Sequence, residues 1–144
     1  NEKRGGEPYN PPIGWHKYGL RVYDRYDNKN NDWLGYENKP GEWCVGYCPL
    51  TGINKKIEQT YEDDDDMKHP GKKVGVGVYC TSQPKTMEDS TEEIDINGSK
   101  YKIGFMIRLN PNRIRCPKSK DDIWIVNGND DEIRPYGILI KKTN

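Results

Sequence analysis

The stretch Lys73-Val74-Gly75-Val76-Gly77-Val78-Tyr79-Cys80-Thr81-Ser82 decides the reading of the fold. Three valines alternate with two glycines and a tyrosine follows, a period-2 pattern of strong strand formers. Glycine inside a strand leaves room for a close backbone approach. Charged and turn residues at 63–71 precede the run, and Thr81, Ser82 and Pro84 follow it. It reads as a short buried strand ending at a polar mouth. Sites are often built at such strand ends, although a plain core strand has the same wording.

Outward from this run, strands outnumber helices. Residues 42–48 (EWCVGYC) alternate and are aromatic, and Pro49 and Gly52 bracket their end. Asn97-Gly98 is a turn signal that prepares a long strand over 101–109, which Asn110-Pro111 stops. Residues 124–126 (WIV) form another strand, and 133–140 a last one with Pro135 near its start. Leu20, Val22 and Tyr23 suit a first strand. Ile53, Ile57 and Tyr61 stand four apart, the spacing of one face of a short helix, and 84–93 holds at most one helical turn. Residues 1–14 are rich in Gly, Pro and charge and read as an extended arm, leaving 15–144 as a single domain. The fold class expected is α+β, with a mainly antiparallel, split β-sheet and short helices.

Composition bounds the function. Apolar residues make up only 32% of the chain, but four Trp and ten Tyr argue for a folded, aromatic core rather than disorder. Lys+Arg and Asp+Glu are 23 each, so no net field draws the chain to nucleic acid or to a membrane surface. No apolar run reaches membrane-spanning length. Four cysteines in 144 residues are too few for a disulfide scaffold, which favours an intracellular, cytoplasmic setting with reduced thiols.

Several motifs are excluded by their chemistry. Cys44 and Cys48 share a strand, which puts them about 13 Å apart, too far to chelate one zinc. The Asp/Asn loop at 27–32 has no phase with the acids, sixth-position Gly and closing Glu of a calcium loop. The acids at 62–66 lie near His69, but consecutive acids in a loop are usually a solvated face, so no metal is expected. Gly75-Val76-Gly77 lacks the third glycine and the following helix of a dinucleotide loop.

From about Trp43 to Lys141 the chain resembles the catalytic domain of PARP-like ADP-ribosyltransferases. Trp43–Pro49 stands where that family has a strand ending in His-Gly, and Gly77-Val78-Tyr79-Cys80 where it has Gly-x-Tyr-Phe. Ile123-Trp124-Ile125-Val126 and the tail Ile133-Arg134-Pro135-Tyr136-Gly137-Ile138-Leu139-Ile140 follow in the family's order. The resemblance implies a pocket for NAD, with its residues lost one by one. Cys48 replaces the histidine that holds a ribose hydroxyl, and Pro49 has no N–H for the nicotinamide amide. Tyr79 keeps the stacking tyrosine, whereas Ile123 replaces the catalytic glutamate. The resemblance therefore implies a degenerate, non-catalytic domain without a cofactor, serving as a protein-binding or structural module in a larger assembly. The alternative is an active mono-ADP-ribosyltransferase that transfers ADP-ribose from NAD to protein. For docking onto protein partners the candidates are Arg113, Arg115, Lys118 and Lys120, in a basic segment without acids that follows the long strand.

Overall fold

A computed structural model describes residues 2–50, 77–116 and 122–144. The expected helix at 53–61, the acids at 62–66, His69, the first part of the valine–glycine run, Lys118 and Lys120 lie outside the described residues. In chain order the elements are β1 (Lys3–Arg4), β2 (Glu7–Pro8), β3 (His16–Gly19), two 3₁₀ turns (Asp27–Lys29 and Asp32–Leu34), β4 (Cys44–Pro49) and β5 (Val78–Thr81). Helix α1 (Pro84–Asp89), β6 (Ile94–Ile96), β7 (Ser99–Leu109), β8 (Ile123–Val126) and β9 (Ile133–Lys142) follow. No helix among the described residues is long and apolar enough to cross a membrane.

Among the described residues seven strands form one sheet in the order β3-β9-β7-β4-β5-β8, with β6 also on β7. Each ladder between them is antiparallel. Strand β7 is the spine: β9 runs along one of its edges, while β4 and β6 divide the other. The β6–β7 hairpin turns at Asn97 and Gly98, whose φ of 52° and 85° are both left-handed, as the Asn-Gly signal requires. The expected split is a near-break rather than two sheets, because β4 and β5 are joined by the single register pair Tyr47↔Thr81.

The alternation visible in the sequence has a physical meaning, because both faces of the sheet are covered. One face packs Cys44, Cys80, Ile107, Leu109, Ile114, Trp124 and Val126 together. The other packs Val45, Tyr47, Met87, Met106 and Leu139. Helix α1 covers part of this second face. Pro84 starts it at a position where a missing N–H costs nothing, Lys85 pairs with Asp89 at 3.0 Å one turn on, and Met87 points inward, fully buried. A Cβ at Gly104 would meet the Met87 sulfur at 2.5 Å, so glycine there makes the socket for that side chain. Burying a Met of this kind contributes roughly 1.5–3 kcal/mol.

The second face continues into a tryptophan layer of Val22, Trp33 and Trp43 that holds two arginines, register partners across β7 and β9. Arg108 donates from Nη1 to the carbonyls of Trp33 (3.3 Å) and Trp43 (2.9 Å), and from Nη2 to those of Leu34 (3.2 Å) and Gly35 (2.9 Å). Arg134 grips both Asp27 carboxylate oxygens at 2.8 and 2.9 Å and the Asp130 carbonyl at 2.7 Å. The rings of Tyr26, Trp33 and Trp43 stand 4.4, 5.0 and 4.1 Å from its guanidinium carbon. A planar, weakly hydrated cation suits such a site far better than a lysine would.

Two expectations need correcting. The first strand of the domain is at 16–19, not around Leu20–Val22–Tyr23, because the partner that defines it is β9, opposite His16 through Gly19. Residues 1–14 are not simply extended: β1 and β2 close a small hairpin whose Gly5 carbonyl accepts from Cys44 Sγ at 3.6 Å, and Tyr9 joins the second-face core. Gly5 (φ 61°) and Gly6 (φ 83°) make that turn possible.

Candidate functional site

The residues that the sequence nominates lie on three consecutive strands. Cys48 and Pro49 end β4, Tyr79 lies in β5, and Ile123 opens β8. Thr81 stands opposite both Tyr47 and Ile123, which puts Ile123, Thr81 and Tyr47 on one face. Cys80 stands opposite Trp124 and belongs with it to the other face, where Cys48 packs against the same cluster. The sheet thus brings the strands together but puts the Cys48 thiol across the sheet from Ile123.

Each nominated group is occupied by the fold itself. Cys48 Sγ donates to the Tyr79 carbonyl at 3.7 Å. A thiol hydrogen bond from Cys80 pulls the Cys48 thiol below its ordinary value, and burial pushes Cys80 well above it. None of the four cysteines is in a disulfide. Tyr79 and Ile123 are each 2% exposed, which leaves no open ring face for stacking. Beyond β5 the polar mouth does exist: a cavity of about 290 Å³ is lined by Asn10, Ser82, Gln83, Cys116, Asp122 and Trp124 among others. Of its lining residues, Asp122 accepts from Thr86 Oγ1 through Oδ2 at 2.8 Å and from Ser82 N through its carbonyl at 3.0 Å. Among the described residues no group of three His, Cys, Asp or Glu side chains is placed to hold a metal.

The docking candidates divide. Arg113 is exposed, in the turn after β7 where its N–H meets the Asn110 carbonyl at 2.9 Å. Arg115 is 2% exposed and is corrected from rim charge to structural residue. Its backbone exchanges two hydrogen bonds with Ile125, at 2.9 and 2.8 Å, which adds an outer rung beyond β8. Its guanidinium lies over Gly77, where an added Cβ would meet Nη2 at 2.6 Å. Burial lowers its affinity for the proton, and Glu132 and Tyr79 work against that. At Gly77 the close approach foreseen at the glycines of the valine run is made by the Val126 carbonyl and by Arg115.

Sequence reading passed over the polar residues of the second face, namely Arg108, Arg134, Lys17, Glu42 and Tyr136. A signal for Arg108 was present: Ile107 and Leu109 take one face of a strand covered on both sides, so Met106 and Arg108 must take the other. Glu42, 4% exposed, accepts from the N–H groups of Glu37 (3.1 Å) and Lys39 (2.5 Å) and so closes the loop before β4. Against protein-family models, curated proteins and solved structures, the chain has no match.

Proposed function

We propose that this chain is a non-catalytic domain of ADP-ribosyltransferase-like build that serves as a binding or structural module for protein partners. The order β4-β5-β8 supports the build, because it makes neighbours of the three segments that carry the family's pocket. The non-catalytic reading is carried by the burial of Ile123, 2% exposed, at the position where the resemblance would put the activating carboxylate. Burying aliphatic carbon there leaves nothing to orient a ribose or to accept a proton. The binding role draws on Tyr18, Tyr23 and Tyr36, exposed at 56, 70 and 73%. Tyrosine is a residue type enriched at interfaces, where its ring supplies area and its hydroxyl a hydrogen bond.

Thermal unfolding with and without NAD tests this reading. A ligand present at a hundred times its dissociation constant stabilises by about 2.7 kcal/mol. For a chain of this size that is a shift of several degrees. No NAD-dependent shift is expected. A saturable rise in melting temperature would overturn the non-catalytic reading and favour the mono-ADP-ribosyltransferase, which labelled NAD would then reveal by transfer to protein.

A further inference from the structure

A cleft on the second face of the sheet, away from the β4–β5–β8 strand ends, gathers positive charge around tyrosines. It has a volume of about 320 Å³, and Arg4, Lys17, Arg108, Tyr9, Tyr36 and Tyr136 are among the residues lining it. None of the described residues lining it is an Asp or a Glu. The volume falls at the lower end of the range for small-molecule sites, roughly 300–1,000 Å³.

The backbone builds this cleft deliberately. The β7–β9 register shifts between Met106 and Ile107: Met106 faces Gly137, Ile107 faces Pro135, and Tyr136 is the extra residue. A bulge of this kind re-aims a side chain, and Pro135 fits there because it has no ladder N–H to lose. Two cations then lie over the Tyr136 ring, Lys17 Nζ at 5.2 Å and the Arg108 guanidinium carbon at 4.9 Å from its centroid. Arg4 covers Tyr9 at 4.6 Å.

The charges are incompletely answered. Arg4 pairs with Glu2 at 2.9 Å, but Glu2 is 63% exposed, so that pair is weak and exchangeable. The four protons on the Arg108 Nη atoms go to neutral carbonyls, and its further hydrogen-bonding neighbour, the Tyr136 hydroxyl, is neutral as well. Glu42 is the carboxylate in its field. Among the described residues no carboxylate pairs with Lys17. Burial and the nearby Arg108 charge both lower the Lys17 ammonium from its ordinary value, so it sits where a negative charge would relieve it. At the mouth, Tyr23 and Tyr36 present exposed rings.

We infer that this cleft binds a small phosphate monoester carrying a planar ring, with Lys17 and Arg4 on the phosphoryl oxygens and tyrosine rings against the ring. A phosphate monoester carries about −1.5 to −2 charges at neutral pH, enough to answer two side-chain cations at once. Lysine and arginine both suit phosphoryl oxygens, as point charge and as fork. The ring can come from a nucleobase or from a phosphorylated phenol. The site lies apart from the β4–β5–β8 strand ends and stands whether or not the proposed function does.

Titration calorimetry with phenyl phosphate tests it, with benzyl alcohol as the uncharged ring. AMP and O-phosphotyrosine separate the two sources of the ring, and tighter binding of either one supports the site. Lys17 lies on an edge strand and Arg4 in the N-terminal hairpin, so Lys17→Gln and Arg4→Gln are expected to fold; their melting curves verify this. The expected result is saturable binding of phenyl phosphate, none of benzyl alcohol, and a roughly tenfold or greater loss in each variant. No saturable binding of any of the three phosphates, or binding unchanged in both folded variants, would overturn the inference. Inorganic phosphate binding as tightly as phenyl phosphate would overturn the assignment of the ring.

Discussion

The two faces of this sheet solve the same problem with opposite materials. One is thiols, aliphatics and a tryptophan packed against each other, and its stability comes from removing apolar surface from water. The other holds two guanidinium groups among aromatic rings and main-chain carbonyls. The difference shows where conformational choice is made. The apolar face would tolerate many repackings of similar volume, whereas the arginines tie specific distant segments together. Asp27 and Arg134 are 107 residues apart, and Arg108 reaches 65 to 75 residues back. The 3₁₀ loops have little regular pairing of their own, so they take their place from these cations.

The largest effect expected is therefore on the polar face. Arg134→Ala removes a 2%-exposed cation from between three rings and releases Asp27 and the Asp130 carbonyl. Asp27 is 46% exposed and meets water once released, so the cost is that of the lost packing and hydrogen bonds of the buried guanidinium, about 2–4 kcal/mol. Thermal or urea denaturation then shows a fall of roughly 10 °C in midpoint. Arg134→Lys keeps the charge but loses the fork, and it recovers only part of that loss. A loss below 1 kcal/mol for Arg134→Ala would erase the contrast between the faces.

On the thiol face the effects are smaller. Cys80→Ser places a hydroxyl in a fully buried apolar cluster at a cost of about 1–3 kcal/mol, and Cys80→Ala costs less because it buries no polar atom. In the folded protein, alkylation modifies the half-buried Cys48 and Cys116 first and leaves Cys44 and Cys80 until unfolding. Peptide mapping after brief alkylation checks this order, and early modification of Cys80 would mean that β4 and β5 part at their single shared pair.

Acid should act on the polar face. Hydrogen bonds from Arg134 hold the Asp27 carboxyl below its ordinary value of 3.8. A carboxyl that binds protons less readily folded than unfolded contributes stability above the ordinary value and loses it as pH falls through the lower folded one. Stability thus declines below about pH 4, and Asp27→Asn flattens that decline. Glu88, lowered by its bond from Lys141, leaves a residual slope of the same sign. An unchanged acid slope in Asp27→Asn would mean that the pair does not persist in solution.

How much of this was legible depends on what sets each element. Strands β4, β7, β8 and β9 announced themselves because alternation of β-branched and aromatic residues is a local property, and Asn97-Gly98 because its backbone demand is local too. Strand β3 was misplaced because all four of its residues are exposed, so no hydrophobic alternation marks it. Only the partner β9 defines it. The arginine sites were hidden for a related reason: an arginine codon-neighbourhood carries no sign of the carbonyls that will surround it, and those come from residues 33–35 and 43. The strands that carry the nominated residues are neighbours in the sheet, but the facing of Cys48 was not legible, since a single register pair sets it.

The smallest effect contrasts two arginines two residues apart. Arg113 and Arg115 look equivalent in sequence, both in a basic segment that follows a strand. The turn after β7 leaves Arg113 in water, and the bridge to Ile125 draws Arg115 under cover against Gly77. An exposed charge without ordered partners contributes within about 0.5 kcal/mol, so Arg113→Gln should leave the denaturation midpoint unchanged. Arg115→Gln gives up a buried guanidinium that meets Asn127 Oδ1 at 3.4 Å and lies in the field of Glu132, and should cost about 1–3 kcal/mol. Urea denaturation of the two variants side by side, at one pH and salt concentration, reads the difference directly. Equal midpoints would return Arg115 to the surface and restore it, with Arg113, as a candidate docking charge. A gap of more than 1 kcal/mol leaves Arg113 as the exposed, described charge of the segment, one whose interactions salt would screen.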